Sequence, residues 1–263
     1  MHRTRPAFWS VVQAMHRSIL LALASIFAAA SVAMAATEKS APRATLEQAI
    51  SHTNHVGSFR YVMTIAIARG RDPAAELQVH GIRGPHLLFV HVQAISSTSV
   101  PGQQQSALLD GPFLYEGAPN GIAVYGKIRW LRIPVSNLSP SSKALTSMRN
   151  LSPAPLLRLL GESSLARKRA AHGSYHGRLA YDDAIVHTAV SGMTGGIEFR
   201  DVRYSARVGS DGYVDTVQVT GRTADGSRTL TIHARLYAFG IKVDPSPPAE
   251  GTFMDRNLVN LAE

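Results

Sequence analysis

The chain has 263 residues and a formal net charge of +9, from 27 Lys and Arg against 18 Asp and Glu, and it contains no cysteine. The missing cysteine excludes disulfide staples, thiol nucleophiles, zinc–thiolate centres and a lipid-modified N-terminal Cys. The basic balance favours anionic head groups, acidic polymers or plain solubility over nucleic acid, because the cationic residues are scattered and cluster only in Leu165-Ala166-Arg167-Lys168-Arg169, a charge run that a solvated helix end or loop explains.

In chain order, the first segment reads as an export signal. Residues 1–17 carry Arg3, Arg5 and Arg17 with no acid, an apolar run extends over 19–32, and Ala33-Met34-Ala35 offers a small-x-small cleavage site. An uncleaved membrane anchor is the rival reading, since the run is close to spanning length. Residues 1–35 are therefore expected to be a signal peptide, 36–44 a polar leader, 45–245 one folded domain and 246–263 a C-terminal tail. The protein is expected to be exported, either periplasmic or secreted.

Thr45 followed three residues later by Gln48 has the pattern of a capping box and predicts a helix over 46–54, ended by Gly57. From Phe59 the apolar period changes to two. Phe59, Tyr61, Met63, Ile65 and Ile67 share one face of a long half-buried strand. Strands are predicted over 76–81 and 87–94 around a Gly84-Pro85 turn, then over 108–115 and 121–135. The middle of the chain is helical in pattern over 143–149 and 154–160, where Pro suits the first turn and Leu156, Leu157, Leu159 and Leu160 form a dense ridge. Strands return over 174–180, 184–190, 199–208, 213–222 and 228–239. Asp211-Gly212 and Asp225-Gly226 supply the hairpin signals. Asp244-Pro245-Ser246-Pro247-Pro248 then breaks the sheet. The result is a mainly β, α+β domain.

No constellation in the sequence asks for catalysis. His172 and His176 are four apart, but Gly173 and Gly177 oppose the helix that an i, i+4 metal pair needs. His80, His91, His187 and His233 read as sheet-surface residues. Gly173-Ser174-Tyr175-His176-Gly177 places its serine one position early for a nucleophile elbow. Asp182-Asp183 suits a turn better than a pair of glycosidase carboxylates. No cofactor or metal is called for, and an enzyme is the least favoured class.

Strand pairs, Trp130 in a strand, the helical run Ser152-Pro153-Ala154-Pro155-Leu156-Leu157-Arg158-Leu159-Leu160, the Asp211-Gly212 hairpin, the strand over 229–237, Phe239-Gly240 and the Pro-rich exit at Asp244-Pro245 follow one another in an order that resembles the LolA-like superfamily of exported proteins, with the LppX/LprG-type branch nearest. The resemblance spans roughly residues 45–255. It implies a curved antiparallel sheet forming an open half-barrel, covered on its concave side by a few helices, that carries or senses lipids, acyl chains or lipoproteins. The branch is usually tethered through a lipidated Cys, which this chain lacks.

The lining of such a groove is expected among Phe59, Tyr61, Met63, Ile65, Leu87, Phe89 and Ile232 on the sheet, Trp130 at the rim, and Leu156, Leu157 and Leu160 on the lid. Leu77, Val79, Val217, Val219 and Leu236 extend the apolar face, and each of these residues would equally serve as ordinary core. Arg129 and Arg132 flank Trp130 and would meet anionic head groups or simply face solvent. The expected partner is a lipid or acylated ligand, with an anionic membrane surface or an envelope protein as further candidates and no nucleic acid. A regulatory envelope protein recognising its partner through sheet edges or the groove is the alternative function.

Overall fold

The computed structural model describes residues 45–70, 75–96, 102–123, 126–162, 168–169, 173–179, 194, 197–243 and 246–256. The chain divides into two compact units, Met1–Arg43 and Ala44–Glu263, and every described residue belongs to the second. The expected signal peptide, the strand over 184–190, His172, His187 and Asp182-Asp183 lie outside the described residues.

Three helices and twelve strands are present among the described residues. In chain order they are α1 (Leu46–His55), β1 (Phe59–Arg69), β2 (Ala75–Arg83), β3 (Leu87–Ser96), β4 (Gln104–Asp110), β5 (Phe113–Gly117), β6 (Trp130–Pro134), α2 (Lys143–Asn150), α3 (Ala154–Glu162), β7 (Lys168–Arg169), β8 (Ser174–Leu179), β9 (Arg200–Val208), β10 (Val214–Arg222), β11 (Arg228–Tyr237) and β12 (Phe253–Asp255). The strands form a single open sheet in the order β12-β6-β5-β4-β3-β2-β1-β11-β10-β9-β8-β7.

That order has a simple logic. β1 to β6 form one meander of antiparallel neighbours and β7 to β11 a second, and the two fuse where β1 pairs antiparallel with β11, from Arg60↔Tyr237 to Arg69↔Arg228. The chain leaves β6 near one edge of the sheet and re-enters at β7 on the other. It must therefore cross a face, and α2 and α3 lie on that crossing. The architecture is the mainly β, open half-barrel with helical cover that the resemblance implied.

Register puts the large apolar side chains in rows across the covered face. Tyr204, Val219, Ile232, Ile65 and Leu77 make one row, and Ala206, Val217, Ala234, Met63, Val79 and Val92 the next. Against them pack Leu46, Ala49 and Ile50 of α1, Leu145 and Met148 of α2, and Leu156, Leu157, Leu159 and Leu160 of α3, all in one core. The predicted capping box is present, with Gln48 N–H donating to Thr45 Oγ1 and Thr45 N–H to Gln48 Oε1. A buried Thr53 joins α1 to the sheet, donating to Ala49 O at 2.7 Å while accepting from Val214 N–H at 2.9 Å.

Aromatic rings laid across glycines on the neighbouring strand mark three places along the sheet. Tyr61 sits opposite Gly81, Tyr204 opposite Gly177 and Trp130 opposite Gly117. A Cβ on Gly81 would lie 2.1 Å from the Tyr61 ring, and one on Gly177 2.8 Å from the Tyr204 ring. Glycine positions of this kind are where sheets bend, and a cross-strand ring restores the packing that the missing side chain removes.

Three segments differ from the sequence expectation. The strand predicted over 108–115 is a hairpin, β4 and β5, turned at Gly111-Pro112 with Gly111 at φ 49°. Of the long strand predicted over 121–135, the described residues form β6 at Trp130–Pro134, preceded by a turn at Gly126-Lys127 with Gly126 at φ 54°. Lys168 and Arg169 of the basic cluster form the edge strand β7 rather than a helix end or loop.

The tail does more than leave the sheet. Residues Phe253–Asp255 add to β6 in parallel, the single parallel pairing among the described strands. Arg132 clamps them, donating from Nε to Asp255 Oδ1 at 2.6 Å and from Nη2 to Asp255 Oδ2 at 2.8 Å, with its guanidinium 4.9 Å from the Phe113 centroid and 4.4 Å from that of Phe253. Arg132 is thus committed to the tail.

Candidate functional site

Most of the concave face is filled by the protein itself. Phe59, Tyr61, Met63, Ile65, Leu156, Leu157, Leu160 and Ile232, all expected to line a groove, are at most 2% exposed and pack together in the main core. Phe89 and Trp130 belong to a second cluster with Leu87, Leu108, Tyr115, Val243 and Phe253. The strand period places that cluster on the opposite face, where the C-terminal segment covers it.

One end is left unfilled. A partly open cavity of about 870 Å³ lies between the rim of the sheet and the helices. The β2–β3 turn supplies Arg83, Gly84, Pro85, His86, Leu87 and Leu88, and the β4–β5 hairpin supplies Leu109 and Gly111. Facing them are Arg149 and Asn150 at the end of α2, Ser152 in the link, and Ala154, Pro155 and Arg158 at the start of α3. Leu87 is the one residue of the expected lining that reaches this cavity.

Local structure explains why the space persists. Gly84 N–H donates to Leu87 O and Gly111 N–H to His86 O, so the two turns are tied to each other rather than folded inward. Across the gap, Leu151 N–H donates to Ser147 O, and the Ser152 N–H and hydroxyl both donate to Arg149 O. The link between α2 and α3 is thereby rigid, and it is fixed to the sheet by the Tyr61 hydroxyl, which donates to Leu151 O at 3.2 Å. Helices held at that height leave open space between the rim of the sheet and the α2–α3 link.

The electrostatics are one-sided. Arg83, Arg149, Arg158 and His86 line the cavity, and no carboxylate does so among the described residues. The Arg83 guanidinium lies 5.7 Å from the centroid of the Phe59 ring, and its Nη1 is buried without a hydrogen-bond partner. Burial lowers the Arg83 pKa from its ordinary value, and the neighbouring Tyr61 works in the opposite direction. Burial likewise raises the Tyr61 phenol well above its usual range, with Arg83 pulling it down.

No family model and no curated protein matches this chain. Among solved structures it is similar to LprF from Mycobacterium bovis, at 10% identity and a TM-score of 0.43, covering 78% of this chain and 95% of that one. A LolA superfamily protein from Nitrosomonas europaea is also found, at 10% identity and a TM-score of 0.26, covering 76% and 93%. A third is a DUF1329 family protein from Desulfovibrio piger, at 10% identity and a TM-score of 0.31, covering 76% and 92%. The open sheet itself rests on the strand register given above.

The histidines take varied places. His176 on β8, His80 on β2 and His233 on β11 are exposed, while His91 on β3 pairs with the Ser106 hydroxyl at 2.8 Å. Sequence reasoning missed Arg83, His86, Leu88, Leu109 and Arg149 as site residues. Arg83 and His86 were legible only as parts of a turn, and Arg149 only as a favourable cation in the last turn of a helix. Their convergence depends on how far α2 and α3 stand above the sheet, which no local pattern encodes.

Proposed function

We propose that this chain is an exported carrier that binds an acyl chain of a lipid or lipoprotein in the cavity beneath α2 and α3, and that it acts by binding rather than by catalysis. One observation carries the reading, an unfilled volume of about 870 Å³ walled in part by Leu87, Leu88, Leu109, Pro85 and Pro155 beside a continuous buried core. The volume falls within the roughly 300–1,000 Å³ of small-molecule sites. Transfer of an acyl chain from water contributes about 0.8 kcal/mol per buried CH₂, so a chain of ~16 carbons supplies on the order of 10 kcal/mol before ordering costs. Of the expected groove residues, Leu87 is in direct contact with the cavity, and the others pack in the two hydrophobic clusters beside it. The basic leader and apolar run of the sequence favour delivery outside the cytoplasm.

The test is organic extraction and mass spectrometry of the purified protein, together with uptake of a fluorescent fatty acid. The expected result is a co-purifying acyl lipid and saturable uptake, reduced about tenfold or more when Leu109→Trp occupies the cavity. A protein that carries no lipid and takes up no fatty acid refutes the carrier.

A further inference from the structure

We propose that the cavity selects an acyl chain ending in a compact oxyanion, a carboxylate or a phosphate, whose charge is met by Arg83 together with Arg149 and His86; the inference rests on the acyl-binding reading above. The rim leucines take the chain and the cationic side takes the head.

Three observations converge on this. The residues lining the cavity include three arginines and a histidine and, among the described residues, no acid. Four arginines elsewhere in this protein find carboxylates, Arg132 with Asp255, Arg207 with Asp215, and Arg178 and Arg203 with Asp201. The cavity lining, among the described residues, offers Arg83 no carboxylate. Arg83 is also only half exposed, and its Nη1 is buried with no acceptor. A charged group with a buried, unpartnered donor is held at a cost, and an anion brought to the partly exposed guanidinium offsets that cost through its charge. Finally, Ala154 and Pro155 bring the first turn of α3 to the cavity, where the partial positive charge of a helix N-terminus adds to the field.

Solubility and helix-end complementarity account for Arg149, which is exposed at the end of α2. They do not account for Arg83. Its guanidinium lies near the Phe59 ring, a contact that satisfies a ring face and leaves Nη1 without an acceptor. Arginine suits this role because its planar fork meets a carboxylate or phosphate through two parallel hydrogen bonds.

The experiment measures displacement of a fluorescent fatty acid from the full exported chain by dodecanoate, dodecyl phosphate and dodecanol, with inorganic phosphate as the head without a chain. Dodecanoate and dodecyl phosphate are expected to bind about tenfold to a hundredfold more tightly than dodecanol, the value of a charge-assisted contact. Arg83→Gln is expected to abolish that preference, so that dodecanoate, dodecyl phosphate and dodecanol bind alike, and Arg83→Lys to retain part of it. Should Arg83→Gln fail to fold, Arg149→Gln at its exposed position serves instead and is expected to reduce the preference of the oxyanion compounds over dodecanol. Equal binding of all three dodecyl compounds overturns the inference and leaves the acyl-binding reading intact. Failure of every dodecyl compound to bind overturns both. Preference retained in full by a folded Arg83→Gln variant, or inorganic phosphate competing as well as dodecyl phosphate, also overturns it.

Discussion

At the scale of single residues, the covered face is set by a few exact contacts. Gly81 is required by Tyr61, whose ring fills the space a Cβ would need at 2.1 Å. Gly81→Ala is expected to destabilise the fold by about 1–3 kcal/mol through overpacking, read as a fall in melting temperature, with Tyr61→Leu in the same chain recovering part of the loss. An undiminished melting temperature for Gly81→Ala would show that the ring moves freely. Asp225, in the turn between β10 and β11, offers a second test. Hydrogen bonds from the Thr223 hydroxyl first, and then from Ser227, hold its carboxyl down to about 2 from an ordinary 3.8. A carboxyl depressed in the folded state stabilises fully above its unfolded value, and that contribution is lost as pH falls through the folded one. The hairpin is therefore expected to loosen only as pH drops from about 3.8 towards 2. Carboxyl NMR titration checks this, with Thr223→Val expected to return the midpoint towards its ordinary value.

At the scale of elements, periodicity and turn chemistry made most of the fold legible. The two-residue period over Phe59 to Ile67, the capping box at Thr45 and Gln48, and both Asp-Gly turns appear where the sequence placed them, and Gly212 and Gly226 take the positive φ that makes glycine necessary there. Asp110-Gly111-Pro112 carries an Asp-Gly pair like the later turns but was overlooked, because Leu108-Leu109 before it and Phe113-Leu114-Tyr115 after it read as one apolar segment. The parallel strand β12 was illegible for a different reason. Three residues after a Pro-rich stretch carry no period, and their pairing depends on Arg132, more than a hundred residues earlier in the chain. Asp255 is held below the usual carboxylate range chiefly by its hydrogen bond to Arg132. Asp255→Asn is therefore expected to leave the melting temperature nearly unchanged, since exposed ion pairs add little. It should speed amide exchange and proteolysis across residues 253–256 several-fold. Unaltered exchange in that segment would mean that backbone pairing alone holds the tail.

At the scale of the molecule, two meanders share one seam, and the cavity lies away from it. β1 and β11 carry Tyr61, Met63, Ile65, Ile232, Ala234 and Leu236, none more than 2% exposed, so their amides cannot exchange without loss of the core that joins the two halves. β7 and β12 at the edges have short pairings. Hydrogen exchange is therefore expected to be slowest at β1 and β11 and fastest at the edges, since local openings span free energies from near zero up to the global value. The candidate site falls between these extremes, bounded by two tied turns on one side and by the α2–α3 link, hung from Tyr61, on the other. The sequence showed the apolar surface of the half-barrel but not its unfilled end, because the same leucines serve as packing wherever a helix sits close and as lining wherever it stands off. A ligand that completes the cavity should stabilise only what touches it. Saturating fatty acid is expected to slow exchange at residues 83–88, 109–111 and 149–158 while leaving β9 and β10 unchanged. Uniform slowing across the sheet would instead indicate linkage to global unfolding, and no slowing around the two turns and the α2–α3 link would place any bound lipid elsewhere.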